Sequence, residues 1–228
     1  MNINYIRNNI YGKYYVPDSQ LHRPVAASIA KGEVWEKETI QYIINNLNNK
    51  SVITAGAYYG DFLPAISKST SAKVFTFEPV PELFEYAKKT IRLNQLPNTF
   101  IYNQGLSNQT GKGFMELVGK RNDHIGFKGK SLSLGGASYI VPEATKTTID
   151  IELTTLDSVI STDSKISVIH LDVERHENEA LEGAKKIINV NRPLIITESD
   201  IKKELLSSFG YFFAGKVNSN RIFKTKSV

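Results

Sequence analysis

Within the run Ile169-His170-Leu171-Asp172-Val173-Glu174-Arg175-His176-Glu177, an apolar stretch gives way to carboxylates and imidazoles. That pattern is what the carboxyl edge of a parallel strand presents to the crevice where α/β proteins bind ligands. Asp172, Glu174 and His176 are the candidates for chemistry there. An imidazole that titrates near neutral pH can take a proton from a hydroxyl, and a nearby carboxylate can do the same. Of these three, His176 ranks first as a base and Asp172 second, with His124 third from elsewhere in the chain. His170 falls on the alternating inward face and reads as a core histidine. Glu177 reads as a helix-start charge favoured by the helix dipole.

Two further segments carry a binding signal. Val52-Ile53-Thr54-Ala55-Gly56-Ala57-Tyr58-Tyr59-Gly60-Asp61 is a short apolar strand that turns through two glycines toward a helix. Small residues in such a turn let a ligand approach the backbone, and the helix start offers N–H groups. Then Phe75-Thr76-Phe77 ends in Glu78-Pro79. A carboxylate roughly 20 residues after a glycine turn, at the end of the next strand, suits the vicinal hydroxyls of a ribose.

The elements needed to position these groups follow from periodicity. Ile40, Ile43, Ile44 and Leu47 form one helical stripe in a helix starting near Glu33. Strand 51–55 is followed by a helix over 61–69, with Asp61 as its expected cap. Next come strand 73–77, a helix from Pro81 to Leu93 and strand 99–103. After a break the rhythm resumes with a short helix at 156–160, strand 166–171, helix 177–188 and strand 194–197. The chain closes with a helix at 201–207 and two strands, 211–216 and 221–224, about the turn Asn218-Ser219-Asn220. Strand and helix alternating in this way predict an α/β fold with a mostly parallel sheet, ending in an antiparallel hairpin. Residues 1–32 read as an irregular N-terminal extension and residues 33–228 as a single domain.

The break, at about 108–150, is a Gly-rich insertion whose ends, near 114–118 and 148–153, read as strands. With its basic residues Lys112, Lys120, Arg121, Lys128 and Lys130, the stretch 111–136 reads either as a lid over an anionic or sugar-phosphate partner or as an ordinary β-insertion with a solvated basic face.

Composition sets outer limits. The chain has 228 residues, no cysteine and a formal charge of +5. Disulfides, thiolate nucleophiles and Cys-ligated metals are excluded. No apolar run reaches the roughly 20 residues of a membrane span, and the polar, aromatic start lacks a signal core, so a cytoplasmic location is expected. No basic–aromatic strip of the kind that stacks nucleic-acid bases is present.

Taken in order, V-I-x-x-G-A-x-x-G-D (52–61), F-x-F-E-P (75–79), Gly105-Leu106-Ser107, T-T-L-D (154–157), L-D-V-E-x-x-E-x-x-A-L-x-G-A (171–184) and R-P-x-I-x-x-E (192–198) resemble the FkbM family of class I S-adenosylmethionine-dependent methyltransferases, mostly O-methyltransferases. Trp35-Glu36 resembles the family's short acidic motif before the first strand. The resemblance covers about residues 33–200. It implies a Rossmann-like, seven-stranded sheet with helices on both faces. S-adenosyl-L-methionine is then expected over Ala55, Gly56, Ala57 and Tyr58, with Glu36 also near it. Its ribose would lie on Glu78 beside Pro79, its adenine beside Leu106 and Ser107, and its methionine end or the acceptor near Asp172. The implied reaction is methylation of a hydroxyl on a small molecule, sugar or glycan, with no metal assigned. Two positions depart from the family pattern. Thr54 stands where an acidic residue usually helps hold the cofactor's ammonium, a loss that Asp61 or Asp172 would have to offset. Arg175-His176 replaces the usual glycine and aromatic. The alternative is a degenerate, non-catalytic nucleotide-binding domain. A nicotinamide enzyme would want G-x-G-x-x-G after the first strand, which Ala55-Gly56-Ala57 does not supply.

Overall fold

The computed structural model describes residues 5–117 and 138–226. His124, Lys120, Arg121, Lys128 and Lys130, with most of the expected lid, lie outside the described residues.

In chain order the elements are β1 (Ile6–Asn9), β2 (Gly12–Tyr15), α1 (Pro24–Ala30), α2 (Lys37–Asn45), β3 (Ser51–Ala55), α3 (Leu63–Lys68), β4 (Val74–Phe77), α4 (Pro81–Asn94) and β5 (Thr99–Tyr102). Then follow β6 (Gly105–Leu106), β7 (Gly111–Glu116), β8 (Tyr139–Val141), β9 (Thr148–Thr154), α5 (Leu156–Val159) and β10 (Ile166–Leu171). The chain ends with α6 (Glu177–Glu182), α7 (Lys185–Asn191), β11 (Leu194–Thr197), α8 (Lys203–Ser208), β12 (Tyr211–Val217) and β13 (Asn220–Thr225).

The main sheet has seven strands in the order β12-β13-β11-β10-β3-β4-β5. The pairs from β11 to β5 are parallel, and β13 joins β11 and β12 antiparallel. Alternation along the central strands divides the core in two. Ile53, Phe75, Ile169 and Ile195 pack on one face with Leu156, Leu181, Ile187 and Leu206. Val52, Val74, Val168 and Ile196 pack on the other with Ile43, Leu63 and Ile66. Helices therefore cover both faces, and the carboxyl ends of β3, β4, β10 and β11 meet at one edge.

Residues 5–32 are not irregular. β1 and β2 form an antiparallel hairpin, and Tyr14, Val16, Ala26 and Ile29 are buried with Tyr59, Val80 and Leu83. The hairpin is fastened to α4: the Asn94 side chain accepts from Lys13 N at 3.0 Å and donates to Lys13 O at 2.6 Å, while Thr90 Oγ1 accepts from Tyr15 N at 3.1 Å. The apolar residues are too closely spaced for a long periodic signal, so only their tertiary partners reveal the segment's order.

The described ends of the insertion belong to a second sheet, β6-β9-β7-β8, in which β7 pairs antiparallel with both neighbours. The expected helix over 177–188 is split into α6 and α7 at Gly183-Ala184. A Cβ at Gly183 would lie 2.1 Å from the Ser107 carbonyl oxygen, so the loop before β7 presses directly on this joint.

Candidate functional site

A cavity of about 310 Å³ opens at the carboxyl edge of the sheet. Of the predicted residues, Glu36, Gly56, Tyr58, Asp61, Glu78, Pro79, Leu106, Asp172 and Glu174 line it. Ala55, Ala57, Ser107 and His176 do not.

Glu78 closes β4 and is 5% exposed. Its Oε2 accepts from Tyr58 N at 2.9 Å and its Oε1 from Val80 N at 3.0 Å. The Tyr58 backbone is left-handed (φ 49°), an uncommon state for a side chain of that size. That conformation accompanies the bond from its N–H to Glu78. Each carboxylate oxygen keeps a second lone pair for a ligand. Burial pushes the Glu78 carboxyl up to about 7, against the pull of the two N–H groups. Beside it, Pro79, Val80, Leu83, Leu106, Met115 and Ile140 form an apolar wall.

The glycine turn differs from expectation. Gly56 N and Ala57 N both donate to the Phe77 carbonyl at 3.0 Å, so these N–H groups hold β3 to β4 and are already engaged. Gly56 has φ 90°, and a Cβ there would sit 2.0 Å from the Asp172 backbone oxygen. Close approach of two strands, as much as a ligand, requires glycine at this point. Asp61 is not a helix cap, since Phe62 occupies that position with no side-chain bond. The Asp61 carboxyl faces the cavity instead, and burial raises it to about 7.

At the ends of β10 and β11, Asp172, Glu174 and Glu198 each bring one carboxylate oxygen within 4.8 Å of the others. Burial first, then the Glu198 charge and a hydrogen bond with it, raise Asp172 well above the usual carboxylate range. Burial and Glu198 likewise raise Glu174 to about 7. The hydrogen bond between the Asp172 and Glu198 carboxyls accounts for two members of this trio; only spacing speaks for a metal. Glu174 (φ 50°) and Glu36 (φ 47°) are also left-handed non-glycine residues, so strained backbone gathers at the cavity, a pattern associated with function.

His176 precedes α6. Its Nε2 lies 3.1 Å from Ser107 Oγ and its Nδ1 3.7 Å from Glu179. Burial lowers its pKa. It thereby joins the loop after β6 to the start of α6, away from the cavity lining.

Several lining groups escaped the sequence reading. His170 faces the cavity, its Nδ1 3.0 Å from Thr54 Oγ1. Arg23, Trp35, Phe62, Glu198 and Ser219 also line it. Ser219 lies in the β12–β13 turn, where Asn220 donates to Glu36 Oε2 at 2.6 Å and thus orients that carboxylate. The R-P-x-I-x-x-E pattern contained Glu198 but drew no attention to its charge. Asn218-Ser219-Asn220 read only as a turn. No local signal could have placed Arg23.

A mostly parallel sheet whose strand ends surround a cavity holding a buried carboxylate is the arrangement in which α/β proteins bind ligands. The Methyltransferase FkbM domain matches residues 55–211, well over half of the chain, and the chain belongs to that methyltransferase family. Among solved structures, Methyltransferase FkbM from Methylobacillus flagellatus KT aligns at 15% identity with a TM-score of 0.49, covering 77% of this chain and 43% of that one. This chain thus spans under half the length of that protein. A SAM dependent methyltransferase from Aquifex aeolicus aligns at 10% identity with a TM-score of 0.44, covering 83% and 89%. No curated protein matches significantly. No helix among the described residues is long and apolar enough to cross a membrane.

Proposed function

We propose that the chain transfers a methyl group from S-adenosyl-L-methionine to a hydroxyl oxygen of a small molecule, sugar or glycan, on a Rossmann-like class I scaffold. The observation that carries this reading is Glu78: a buried carboxyl, aimed by two backbone N–H groups, with lone pairs left for a diol in a cavity also lined by Val80, Leu83 and Leu106. The residues fit the cofactor from Leu106 at the adenine end, through Glu78 at the ribose, to the carboxylates of β10 and β11. Bound there, the cofactor supplies a sulfonium-activated methyl group.

The protein's own contribution is alignment, exclusion of water and a place for the acceptor's proton. Glu174 suits the last task. Its carboxyl sits near neutrality, so at pH 7–8 a substantial fraction is ionised and still basic enough to accept. Asp172, hydrogen-bonded to Glu198, supports it as a neighbour. The acidic lining, six carboxylates against Arg23 among the described residues, favours a neutral or cationic acceptor over an anionic one.

Thermal unfolding with added ligands tests the reading. S-Adenosylmethionine and S-adenosylhomocysteine at 100-fold over their dissociation constants should each add about 2.7 kcal/mol, while NAD should add nothing. Stabilisation by NAD alone would overturn it. Stabilisation by adenosylhomocysteine with no label transfer to any hydroxylated acceptor would favour the non-catalytic alternative.

A further inference from the structure

His170 has no part in the chemistry described so far, yet it is among the most tightly held groups at the site. Its side chain is 3% exposed and lines the cavity. It sits opposite Thr54 in the β3–β10 register, with Nδ1 3.0 Å from Thr54 Oγ1. Its ring stacks on Phe62 at 5.1 Å and 9°. The other nitrogen, Nε2, has no hydrogen-bond partner among the described residues. Burial drives the imidazole down to about 4, so it is neutral under ordinary conditions.

The network selects a tautomer. A threonine hydroxyl has one proton to give. If Thr54 donates to Nδ1, the only unsatisfied group is an Nε2–H facing the cavity. In the reverse arrangement, both the threonine proton and the Nε2 lone pair are left without partners. Unpaired buried polar groups are costly, so the first arrangement wins. His170 is then a rigid, neutral hydrogen-bond donor aimed into a cavity whose other ionisable groups are mainly carboxylates.

Strand order says what it would meet. Glu78 ends β4, and the apolar slot with Leu106 lies toward β5 and β6. A nucleoside with its ribose on Glu78 and its base in that slot must send its 5′ substituent over β3 and β10, where Thr54, His170 and Asp172 lie. For adenosylmethionine that substituent ends in an ammonium and a carboxylate. The carboxylates of β10 and β11 serve the ammonium and repel the carboxylate, which needs a donor. The one cation of the lining among the described residues, Arg23, lies close enough to Tyr59 to favour its ionised form, and Tyr59 clusters with Val80 and Leu83.

We propose that His170 donates from Nε2 to the carboxylate of the cofactor's amino-acid end, with Thr54 fixing the tautomer. This rests on the adenosylmethionine reading of the cavity.

Isothermal titration with three ligands separates the two claims. S-Adenosylhomocysteine carries both charged groups. Its decarboxylated analogue keeps the amine alone, and 5′-methylthioadenosine lacks the whole amino-acid end. His170→Phe preserves the stack on Phe62 and removes the donor. It should weaken adenosylhomocysteine about tenfold or more, the scale of a hydrogen bond to a charged group, and leave the other two ligands within about twofold. Thr54→Val, which frees the tautomer, should show the same selectivity with a smaller loss, and it carries the test if His170→Phe does not fold. A loss shared equally by all three ligands, or by none, overturns the assignment to His170. Failure of the unmodified protein to bind any of the three overturns the cofactor reading beneath it.

Discussion

The two ends of the cavity are built on opposite principles. At the β4 end, one carboxylate is held by two backbone N–H groups beside an apolar wall, and each polar atom has a defined partner. At the β10–β11 end, Asp172, Glu174 and Glu198 crowd together, and burial with the Glu198 charge raises Asp172 and Glu174 above the usual carboxylate range. The first end is prepared for a ligand of fixed shape. The second stores electrostatic repulsion that a positively charged ligand would relieve. A fold can afford the second only because the central strands beneath it are completely buried.

The sharpest way to break this contrast is Glu78→Ala. It removes the proposed ribose contact and also the acceptor of Tyr58 N and Val80 N, so adenosylhomocysteine affinity should fall by roughly 1.5–3 kcal/mol. Titration with adenosine should show much of the same loss, since the effect belongs to the nucleoside end. Unchanged affinity for both would remove Glu78 from the site.

The raised carboxyls at both ends of the cavity should show themselves in the pH dependence of stability. Asp61, Glu78 and Glu174 have folded-state pKa values raised to about 7, above their ordinary values near 4. The folded state therefore binds more protons between those limits, and unfolding free energy should fall as pH rises from about 4 to about 7. His170 works the other way over part of this range, because its folded value is depressed; three carboxylates outweigh it. Denaturant melts at pH 5 and pH 8 measure the slope. Bound adenosylhomocysteine should flatten it, as a cationic group favours the ionised carboxylates.

A smaller effect is expected for Glu198→Gln. Removing one charge of the trio should raise the melting temperature at pH 8 by a few degrees, about 1 kcal/mol for a chain of this size, while weakening cofactor binding. A lowered melting temperature with normal binding would mean the trio is a structural network.

The smallest change is predicted for His176→Ala. Its bonds run to Ser107 and Glu179, so it should cost about 1 kcal/mol of stability and leave turnover within a few-fold. A collapse of turnover with intact cofactor affinity would restore His176 as the base.

The contrast between the ends also explains what could be read from sequence. The nucleoside end was legible because each of its parts is local: Glu78 at a strand end, Pro79 after it, a glycine turn some 20 residues earlier. The parallel sheet was legible for the same reason, through the periodicity of 51–103 and 166–197. The crowded end was legible only in part: Asp172 and Glu174 stood out at a strand end, but the residues that surround them did not. Thr54 looked like a lost charge because its partner, His170, is 116 positions away. His170 looked like core because alternation faces it inward, which it does, onto a cavity. Glu36 gains its orientation from Asn220 across 184 positions. Where a site is assembled by such distant pairs, spacing along the chain carries no trace of it.

The proposed direction of the cofactor has its ribose at β4 and its amino-acid end over β3 and β10. A crystal structure with S-adenosylhomocysteine tests this most directly. The predicted result is both ribose hydroxyls within about 3 Å of the Glu78 carboxylate, with the amino-acid end reaching Thr54, His170 and Asp172. Density with the adenine over β10 and the amino-acid end toward Leu106, or a ligand bound away from this edge, would contradict it.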